Sequence, residues 1–303
     1  MKGGSNIISG WLAISRLPFH VVGLLPFILG AVMAAKLEGV FSLNIFLMGM
    51  FIVFFIMLST YMAGEYWDYE EDTYSQELHN SSFAGGSRAI QEGKISKENA
   101  LKGSILSLFI ALILLIVLYF IFDTGHLTIP LGLTGMLGGF YYSSKPIRWV
   151  NTGLGELWIG FNYSWLPVAS SYYILTGNLN HIILWIPIPI ALSIINVVLL
   201  NEFPDYLADR KAGKNNILVR FGKEKGSFIY LILTCGEIVF FFLTAHMFEL
   251  VKWWLYLPIL LISLYIAISV LKCTQEINGL ERLLALNILV NLGITSVYIV
   301  SFW

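Results

Sequence analysis

Two short segments of this chain carry carboxylates at the same spacing, and they are the clearest candidates for chemistry. Both read E-[YF]-x-D-Y-x-x-D, one starting at residue 65 and the other at residue 202. The six acidic residues of the two motifs are Glu65, Asp68, Asp72, Glu202, Asp205 and Asp209. Side chains three and four residues apart on a helix are neighbours, so each motif predicts three carboxylates on one helix face.

Carboxylates this close repel one another, most strongly near a medium of low dielectric constant. A bound cation would relieve the repulsion, and hard oxygen ligands favour Mg²⁺, which also shares its coordination with substrate phosphates. We therefore expect Asp68, Asp72, Asp205 and Asp209 to be metal ligands. The alternative is a pair of solvated acidic loops, but it does not explain why one pattern occurs twice along the chain.

Basic residues follow both motifs. Gly85-Gly86-Ser87-Arg88 comes after the first motif, and Lys214 and Arg220 come after the second. Cations beside a metal cluster suit a polyanion that contacts both, which is how a diphosphate binds. The pattern therefore predicts a diphosphate site.

A third polar segment runs from Tyr141 to Arg148 and includes Tyr142 and Lys145. One interpretation places Lys145 on the diphosphate, with a tyrosine hydroxyl at the mouth of the site. The other interpretation is an aromatic belt with snorkelling cations at a membrane interface. The sequence alone leaves both open.

The elements that must position these motifs are membrane-spanning helices. Hydrophobic residues make up 57% of the 303 residues and charged residues only 12%, whereas soluble domains are typically about 25% charged. Apolar runs close to the ~20 residues that a bilayer crossing needs recur along the whole chain. The predicted spans are 9–35, 42–63, 103–122, 127–143, 153–175, 182–200, 226–247, 252–271 and 283–302.

The chain is therefore predicted to be all-α, a single domain over residues 1–303 with nine transmembrane helices. The acidic motif forms a two-fold repeat at 64–72 and 201–209. Only Lys36 and Lys252 would lie in outside loops if the N-terminus is cytoplasmic. The positive-inside rule then places the N-terminus and the long loops 64–102 and 201–225 in the cytoplasm and the C-terminus outside.

Polar residues and glycines inside the spans add two expectations. Arg16 and His20 are four apart on the predicted first helix and would share a face that lines a pocket for a second substrate. The span 127–143 is rich in glycine, which predicts close helix packing rather than lipid contact.

The paired motifs resemble those of the UbiA superfamily of intramembrane prenyltransferases. That family pairs N-D-x-x-D-x-x-x-D with D-x-x-x-D, and the matching segments here are Gly64-Glu65-x-x-Asp68-x-x-x-Asp72 and Asp205-x-x-x-Asp209. The family's asparagine is absent from the first motif, but Asn201 heads the second. The segments 85–96 and 209–222 are similar to the branch of 1,4-dihydroxy-2-naphthoate polyprenyltransferases.

The resemblance implies a nine-helix bundle around a central cavity that opens sideways to lipid. It implies Mg²⁺-dependent transfer of a polyprenyl group from an allylic prenyl diphosphate to an aromatic acceptor, of the naphthoate or hydroxybenzoate type, in lipid-soluble quinone biosynthesis. Asp68 and Asp72 would bind one Mg²⁺, and Asp205 and Asp209 a second. Glu65 and Glu202 are candidates for activating the acceptor. The residues expected to contact substrates are Arg16, Arg88, Tyr141, Lys145, Arg148, Asn201, Lys214 and Arg220.

Other functions compete with this one. A glycerol-phosphate ether lipid precursor, or a chlorophyll or haem precursor, could replace the aromatic acceptor. A cation-binding transporter would place acidic sites near the bilayer midplane, whereas both motifs here follow apolar helices at one side. An alcohol phosphotransferase would carry a single dense aspartate motif. The expected partners are the donor, the acceptor and the lipid bilayer, with no nucleic acid.

Overall fold

The computed structural model describes residues 2–78, 85–272 and 279–303. These residues form α-helices joined by short turns. The helices are α1 (Lys2–Ser15), α2 (Val21–Glu38), α3 (Leu43–Trp67), α4 (Tyr69–Leu78), α5 (Lys97–Phe122), α6 (Thr128–Ser143), α7 (Gly155–Gly160), α8 (Leu166–Thr176), α9 (Pro187–Lys211), α10 (Ile217–Met247), α11 (Leu257–Lys272) and α12 (Leu280–Phe302).

Seven helical stretches among the described residues are long and apolar enough to cross a membrane. They are Ile7–Glu38, Leu43–Trp67, Lys97–Phe122, His181–Lys211, Ile217–Met247, Trp253–Lys272 and Leu280–Phe302. Each corresponds to one predicted span. The other two predicted spans contain α6, which has 16 residues, and a run that a π-helical stretch, Phe161–Trp165, divides into α7 and α8. Helix length and composition therefore support seven of the nine predicted spans.

The outer surface of the bundle is apolar. On α5, Phe120 and Ile121 have 74% and 72% of their surface exposed, and Phe109 is also exposed. A large apolar surface of this kind requires a non-aqueous neighbour. Its placement around the long helices agrees with contact to lipid.

The first predicted helix is interrupted at Arg16. This residue adopts the left-handed conformation, with φ 47° and ψ 41°, and a 3₁₀ turn, Leu17–His20, follows before α2 begins. Pro18 cannot donate the hydrogen bond that a continuing helix needs. The prediction that Arg16 and His20 share a helix face is therefore wrong. The two residues still meet, because Nδ1 of His20 lies 3.4 Å from the carbonyl oxygen of Arg16.

The acidic motifs are more helical than the predicted loops 64–102 and 201–225. α3 ends at Trp67, and α4 begins at Tyr69, with Asp68 between them. The amide of Asp68 donates to the carbonyl of Gly64 at 2.8 Å, and the amide of Asp72 donates to that of Asp68 at 2.8 Å. The first motif therefore keeps its helical spacing across the break, although it does not lie on one helix.

The second motif lies on a single helix, as predicted, because α9 continues to Lys211 through Pro204. α4 packs against α9, which brings the two motifs together. The centre of the bundle consists of buried apolar residues of α2, α8, α9 and α12, such as Leu29, Tyr172, Ile190 and Ile294. This core fixes the helices that carry the motifs.

Candidate active site

A cavity lies where α3 and α9 carry their acidic motifs. The carboxylates of Glu65, Asp68, Asp72 and Asp205 line it, and Arg16 faces them. Asp209, one turn beyond Asp205 on α9, is buried. The structure thus brings the two predicted motifs to one site, which neither motif could form alone.

Arg148 neutralises the first motif. Its Nη2 donates to Oδ1 of Asp68 at 2.9 Å and also to Glu71, and the side chains of Arg148 and Asp68 are 18% and 15% exposed. The hydroxyl of Ser143, the last residue of α6, donates to Oδ2 of Asp68 at 2.5 Å. Both oxygens of Asp68 therefore have donors in this ligand-free arrangement.

Asp72 faces the cavity from α4 beside the backbone of Gly86. A β-carbon at Gly86 would clash with this carboxylate, and the φ of Gly86 is 69°, which favours glycine. Burial raises the pKa of Asp72 well above its ordinary value, and the nearby charge of Asp68 raises it further against the opposing effect of Lys214. A bound cation would favour the ionised form.

Glu65 is held by the segment that follows the first motif. Its Oε1 accepts from the backbone amide of Ser87 at 2.9 Å, and its Oε2 accepts from the Ser87 hydroxyl at 2.7 Å. This pair of bonds fixes the Gly85–Ser87 backbone against the cavity wall. Arg88, predicted to contact phosphate, is half-buried and is not among the described residues that line the cavity.

The second motif is neutralised by the segment that follows α9. Nζ of Lys214 lies 2.9 Å from Oδ1 of Asp209, and Nδ2 of Asn216 donates to Oδ2 of Asp209 at 2.8 Å. The hydroxyl of Ser75 on α4 donates to Asp205. Burial alone would lower the pKa of Lys214, but the carboxylates of Asp209, Asp68 and Asp72 outweigh it and raise that pKa well above the ordinary value.

Three further polar residues meet the start of α10. The Asn216 side chain accepts from the amide of Val219 at 2.8 Å and caps the helix. Glu156 on α7 accepts from the amide of Ile217 at 2.6 Å, and Glu202 accepts from that of Leu218 at 3.3 Å. Glu202, predicted to act on the acceptor, is thus used to cap a helix and does not line the cavity among the described residues.

Several other predicted contact residues lie away from the cavity. Lys145 is exposed, and Arg220 is exposed and donates to Asn215 and to the carbonyl of Thr152 at 2.8 Å. Tyr141 does not line the cavity among the described residues, whereas its neighbour Tyr142 does. The side-chain oxygen of Asn201 is buried and has no hydrogen-bond partner in the described part of the chain.

Sequence reasoning missed the hydroxyl and amide donors of the site. Ser75, Ser87, Ser143 and Asn216 each bind a motif carboxylate. Only Asn216 carries a local signal, because an asparagine before an apolar run is a typical helix N-cap. Serines are common at helix ends, so the sequence around the three serines did not indicate that they bind carboxylates.

One part of the cavity wall is aromatic and carries a cation. Arg16 lies there with Tyr61 and Tyr163, whose hydroxyls are 3.5 Å apart, and its guanidinium carbon is 6.0 Å from the centre of the Tyr61 ring. His20 is buried beside Tyr61. This end could take a flat anionic molecule by stacking and by charge.

A second, apolar cavity adjoins the acidic one. The two share Gly139, Asn162 and Tyr163 as wall residues. The apolar cavity continues between α2, α3, α5, α6 and α8, where Ile52, Leu115 and most other wall residues are hydrophobic. A molecule with a charged head and a hydrocarbon tail would fit the pair of cavities.

The donor set fits Mg²⁺. Aspartate oxygens are hard ligands, and four aspartates meet here with Arg148 and Lys214 as counter-ions. Within the described ranges no three acidic, histidine or cysteine side chains converge tightly enough for a ready-made metal site. Asp68 and Asp209 are each held by hydrogen bonds and ion pairs to neighbouring side chains.

Comparisons with known proteins agree on one family. The sequence model of the UbiA prenyltransferase family matches residues 24–288. The 1,4-dihydroxy-2-naphthoate octaprenyltransferase of Bacillus subtilis (strain 168) is 27% identical over 199 residues, which are 66% of this chain and 61% of that protein. The match thus covers less than two thirds of that relative. The protein of the same name from Haemophilus influenzae is 25% identical over 245 residues, 77% of this chain and 78% of that one.

Solved structures share the fold. A UbiA homolog from Archaeoglobus fulgidus, bound to GPP and Mg²⁺, matches with a TM-score of 0.70 and 17% identity over 97% of this chain and 99% of that chain. The apo structure of a UbiA homolog from Aeropyrum pernix K1 matches with a TM-score of 0.70 and 14% identity over 94% of this chain and 98% of that chain. At these identities the likeness concerns the fold.

Proposed function

The chain belongs to the UbiA prenyltransferase family, and from this premise we propose that it transfers a polyprenyl group from an allylic diphosphate to an aromatic acceptor. The observation that carries the proposal is the meeting of Asp68, Asp72 and Asp205 at a cavity that adjoins an apolar one. Arg148 is paired with Asp68, and Lys214 with the buried Asp209 of the second motif. The relatives named 1,4-dihydroxy-2-naphthoate octaprenyltransferase support an acceptor of the naphthoate type in quinone biosynthesis.

Asp68 and Asp72 would hold one Mg²⁺ and Asp205 and Asp209 a second, as their grouping in two motifs suggests. Mg²⁺, when bound, would neutralise the charge that develops on the departing diphosphate. The A. fulgidus homolog bound to GPP and Mg²⁺ supports this choice of ion. Glu71 is buried against Arg148 and would keep that guanidinium at the site when Asp68 is released.

Lys214 and Arg148 are the residues best placed to bind the diphosphate. Each is now paired with a motif aspartate, and each would exchange that carboxylate for a phosphate oxygen with a charge-assisted hydrogen bond. The bond between the allylic carbon and the diphosphate oxygen would then break, with the electron pair leaving on the diphosphate. A ring carbon of the acceptor would supply the electrons for the new carbon–carbon bond, and the same carbon would then lose its proton to water or to a cavity carboxylate, which restores the aromatic ring.

Tyr61, Tyr142 and Tyr163 line the cavity and would stabilise the allylic cation through their ring faces. Arg16 would hold the carboxylate of a naphthoate or hydroxybenzoate acceptor. Glu65 would act mainly by holding the Gly85–Ser87 backbone at the diphosphate. Lys145 and Arg220 receive no role here, because both are exposed outside the cavity.

The topology belongs to the same proposal. The chain would cross the membrane nine times, with the N-terminus and both motifs on the cytoplasmic side and the C-terminus outside, as the distribution of lysine and arginine indicates. The donor tail would then stay within the apolar cavity while the diphosphate meets the cytoplasmic face.

The decisive experiment measures Mg²⁺-dependent prenyl transfer by purified protein in detergent or liposomes. Asp68→Asn and Asp205→Asn each remove a ligand charge and should lower turnover by at least about a hundredfold. Asp123→Asn is the matched control, because Asp123 is exposed beyond the far end of α5 and asparagine accepts its left-handed backbone. Full activity in either motif variant would refute the assignment.

A panel of acceptors tests the finer part of the proposal. Dihydroxynaphthoate, hydroxybenzoate and a glycerol-phosphate ether precursor would be offered with the same prenyl diphosphate. A preference of the wild-type protein for an aromatic acid would support the aromatic acceptor. The Arg16→Gln variant should lose that preference and still bind the prenyl diphosphate donor. Preference for the glycerol phosphate would reassign the substrate but keep the reaction type.

A further inference from the structure

We propose that Gly135 on α6 and Leu118 on α5 set the length of isoprenoid chain that the protein accepts. The inference rests on the proposed prenyl transfer and deepens it. Both residues line the apolar cavity, Gly135 part of the way along its wall and Leu118 at the end away from the acidic site. The first would limit the width of the tail channel and the second its depth.

α6 runs the length of the channel. Its last residue, Ser143, binds Asp68, Gly139 belongs to both cavities, and Thr128 at its other end lines only the apolar one. These positions, with Gly135, are spaced to lie on one helix face. With a rise of 1.5 Å per residue, Gly135 lies roughly 6 Å and Thr128 roughly 16 Å beyond Gly139.

Gly135 is the glycine of this face at which an added β-carbon would meet only ordinary van der Waals contacts. A β-carbon at Gly132 would lie 2.5 Å from the Leu115 side chain, and one at Gly139 would clash with Thr60. At Gly135 the nearest atoms to a new β-carbon would be those of Leu166 at 3.5 Å and Ile56 at 3.6 Å. A β-carbon there would clash with no neighbour, and because Gly135 lines the cavity, a larger side chain would take up space that the tail uses.

The far end of the channel is closed by packing and by a small polar cluster. Leu118 is 1% exposed and Thr128 is 2% exposed. Behind them, the hydroxyls of Thr124 and Thr128 lie 2.8 Å apart, and the Thr124 hydroxyl donates to the carbonyl of Leu118 at 3.2 Å. Hydroxyl groups that are already paired offer an apolar chain no favourable contact. Leu118 therefore marks the end of the apolar channel.

The test is a length profile. Wild type, Gly135→Leu and Leu118→Ala would each be assayed with prenyl diphosphates of increasing length, from geranyl diphosphate upward, at a fixed acceptor. In Gly135→Leu we expect kcat/KM for geranyl diphosphate to stay within a few-fold of wild type and that for long donors to fall about tenfold or more, as for added bulk in an apolar pocket. In Leu118→Ala the preference should move toward longer donors.

Leu137→Phe is the control, since it adds bulk to the same helix on a side chain that is 53% exposed, and its profile should match wild type. If the leucine variant fails to fold, Gly135→Ala adds a single methyl group, which the structure accommodates without a clash. Equal loss for all donor lengths, or an unchanged profile in both Gly135 variants, would overturn the inference. A wild-type protein that transfers none of the donors would overturn the proposed function itself.

Discussion

Lys214 lies among the motif carboxylates and supplies a compensating positive charge. It pairs with Asp209, and the two side chains are only 12% and 6% exposed. Removing one partner of such a buried pair typically costs about 3–5 kcal/mol. We expect Lys214→Met to lower the melting temperature in the absence of Mg²⁺ and the ion to restore much of the loss, because it replaces the missing charge.

The measurement is a thermal melt with and without Mg²⁺. Lys211→Met is the matched control, because Lys211 is exposed and its Nζ lies over the Tyr74 ring at 3.9 Å, a contact typically worth about 0.5–1 kcal/mol. A Lys214→Met protein as stable as wild type without the ion would contradict the counter-ion role.

Glu65 gives a second prediction at the scale of one residue. If it positions the Gly85–Ser87 backbone, then Ser87→Ala and Glu65→Gln should raise KM for the prenyl diphosphate about tenfold with little change in kcat, as expected when binding alone is weakened. Steady-state kinetics at saturating acceptor separates the two constants. A large fall in kcat with unchanged KM in Glu65→Gln would instead favour direct action on the acceptor.

The sequence predicted best the residues that belong to a repeated motif. The two motifs stood out because one spacing of carboxylates occurs twice, and the structure brings them to one cavity. The partners of those carboxylates could not be read from the chain. Ser143 is 75 residues from Asp68, and Ser75 is 130 residues from Asp205, so only the packing of helices decides that they meet.

At the scale of elements, the start of α10 links the second motif to the helix bundle. Asn216 uses one side-chain atom to cap α10 and another to hold Asp209. Asn216→Ala should therefore lose the cap, worth about 0.5–2 kcal/mol, and also weaken Mg²⁺ binding. Serine can cap but is too short to reach Asp209, so Asn216→Ser should lower the melting temperature less than Asn216→Ala does and still weaken the response to Mg²⁺. If Asn216→Ser and the wild type bind Mg²⁺ with equal affinity, the proposed role of Asn216 in holding Asp209 for Mg²⁺ binding is refuted.

The elements also show where periodicity is a poor guide. Apolar composition predicted most spans correctly, because a membrane helix needs only length and hydrophobicity. It did not reveal the break at Arg16, the π-helical stretch Phe161–Trp165 or the kink at Gly222, where φ is 80°. The first two irregularities lie within long apolar runs, so hydropathy remains high across them, whereas Gly222 lies in a charged stretch ahead of the predicted span 226–247.

At the scale of the whole molecule, the acidic site constrains the number of spans. Ser143 at the end of α6 binds Asp68 at the end of α3, so both helices end on the same side of the bundle. α5 lies between them in sequence and connects that side to the other. If the chain returns to the motif side through α6 and leaves it again through α7 and α8, it crosses the membrane nine times. With seven crossings, α6, α7 and α8 would not cross, and residue 147 would lie on the side opposite the motifs.

Cysteine labelling decides between these topologies. In a background with both native cysteines replaced by alanine, exposed Glu92, Ile147 and Asn178 would each be changed to cysteine and treated with a membrane-impermeant maleimide in intact cells. With nine spans and a cytoplasmic N-terminus, Asn178→Cys should react at once, and Glu92→Cys and Ile147→Cys only after permeabilisation. Labelling of Ile147→Cys together with Asn178→Cys, but not of Glu92→Cys, would establish seven crossings, because residues 147 and 178 would then share the outer face. Labelling of Glu92→Cys and Ile147→Cys without Asn178→Cys would reverse the orientation that the positive charges predict.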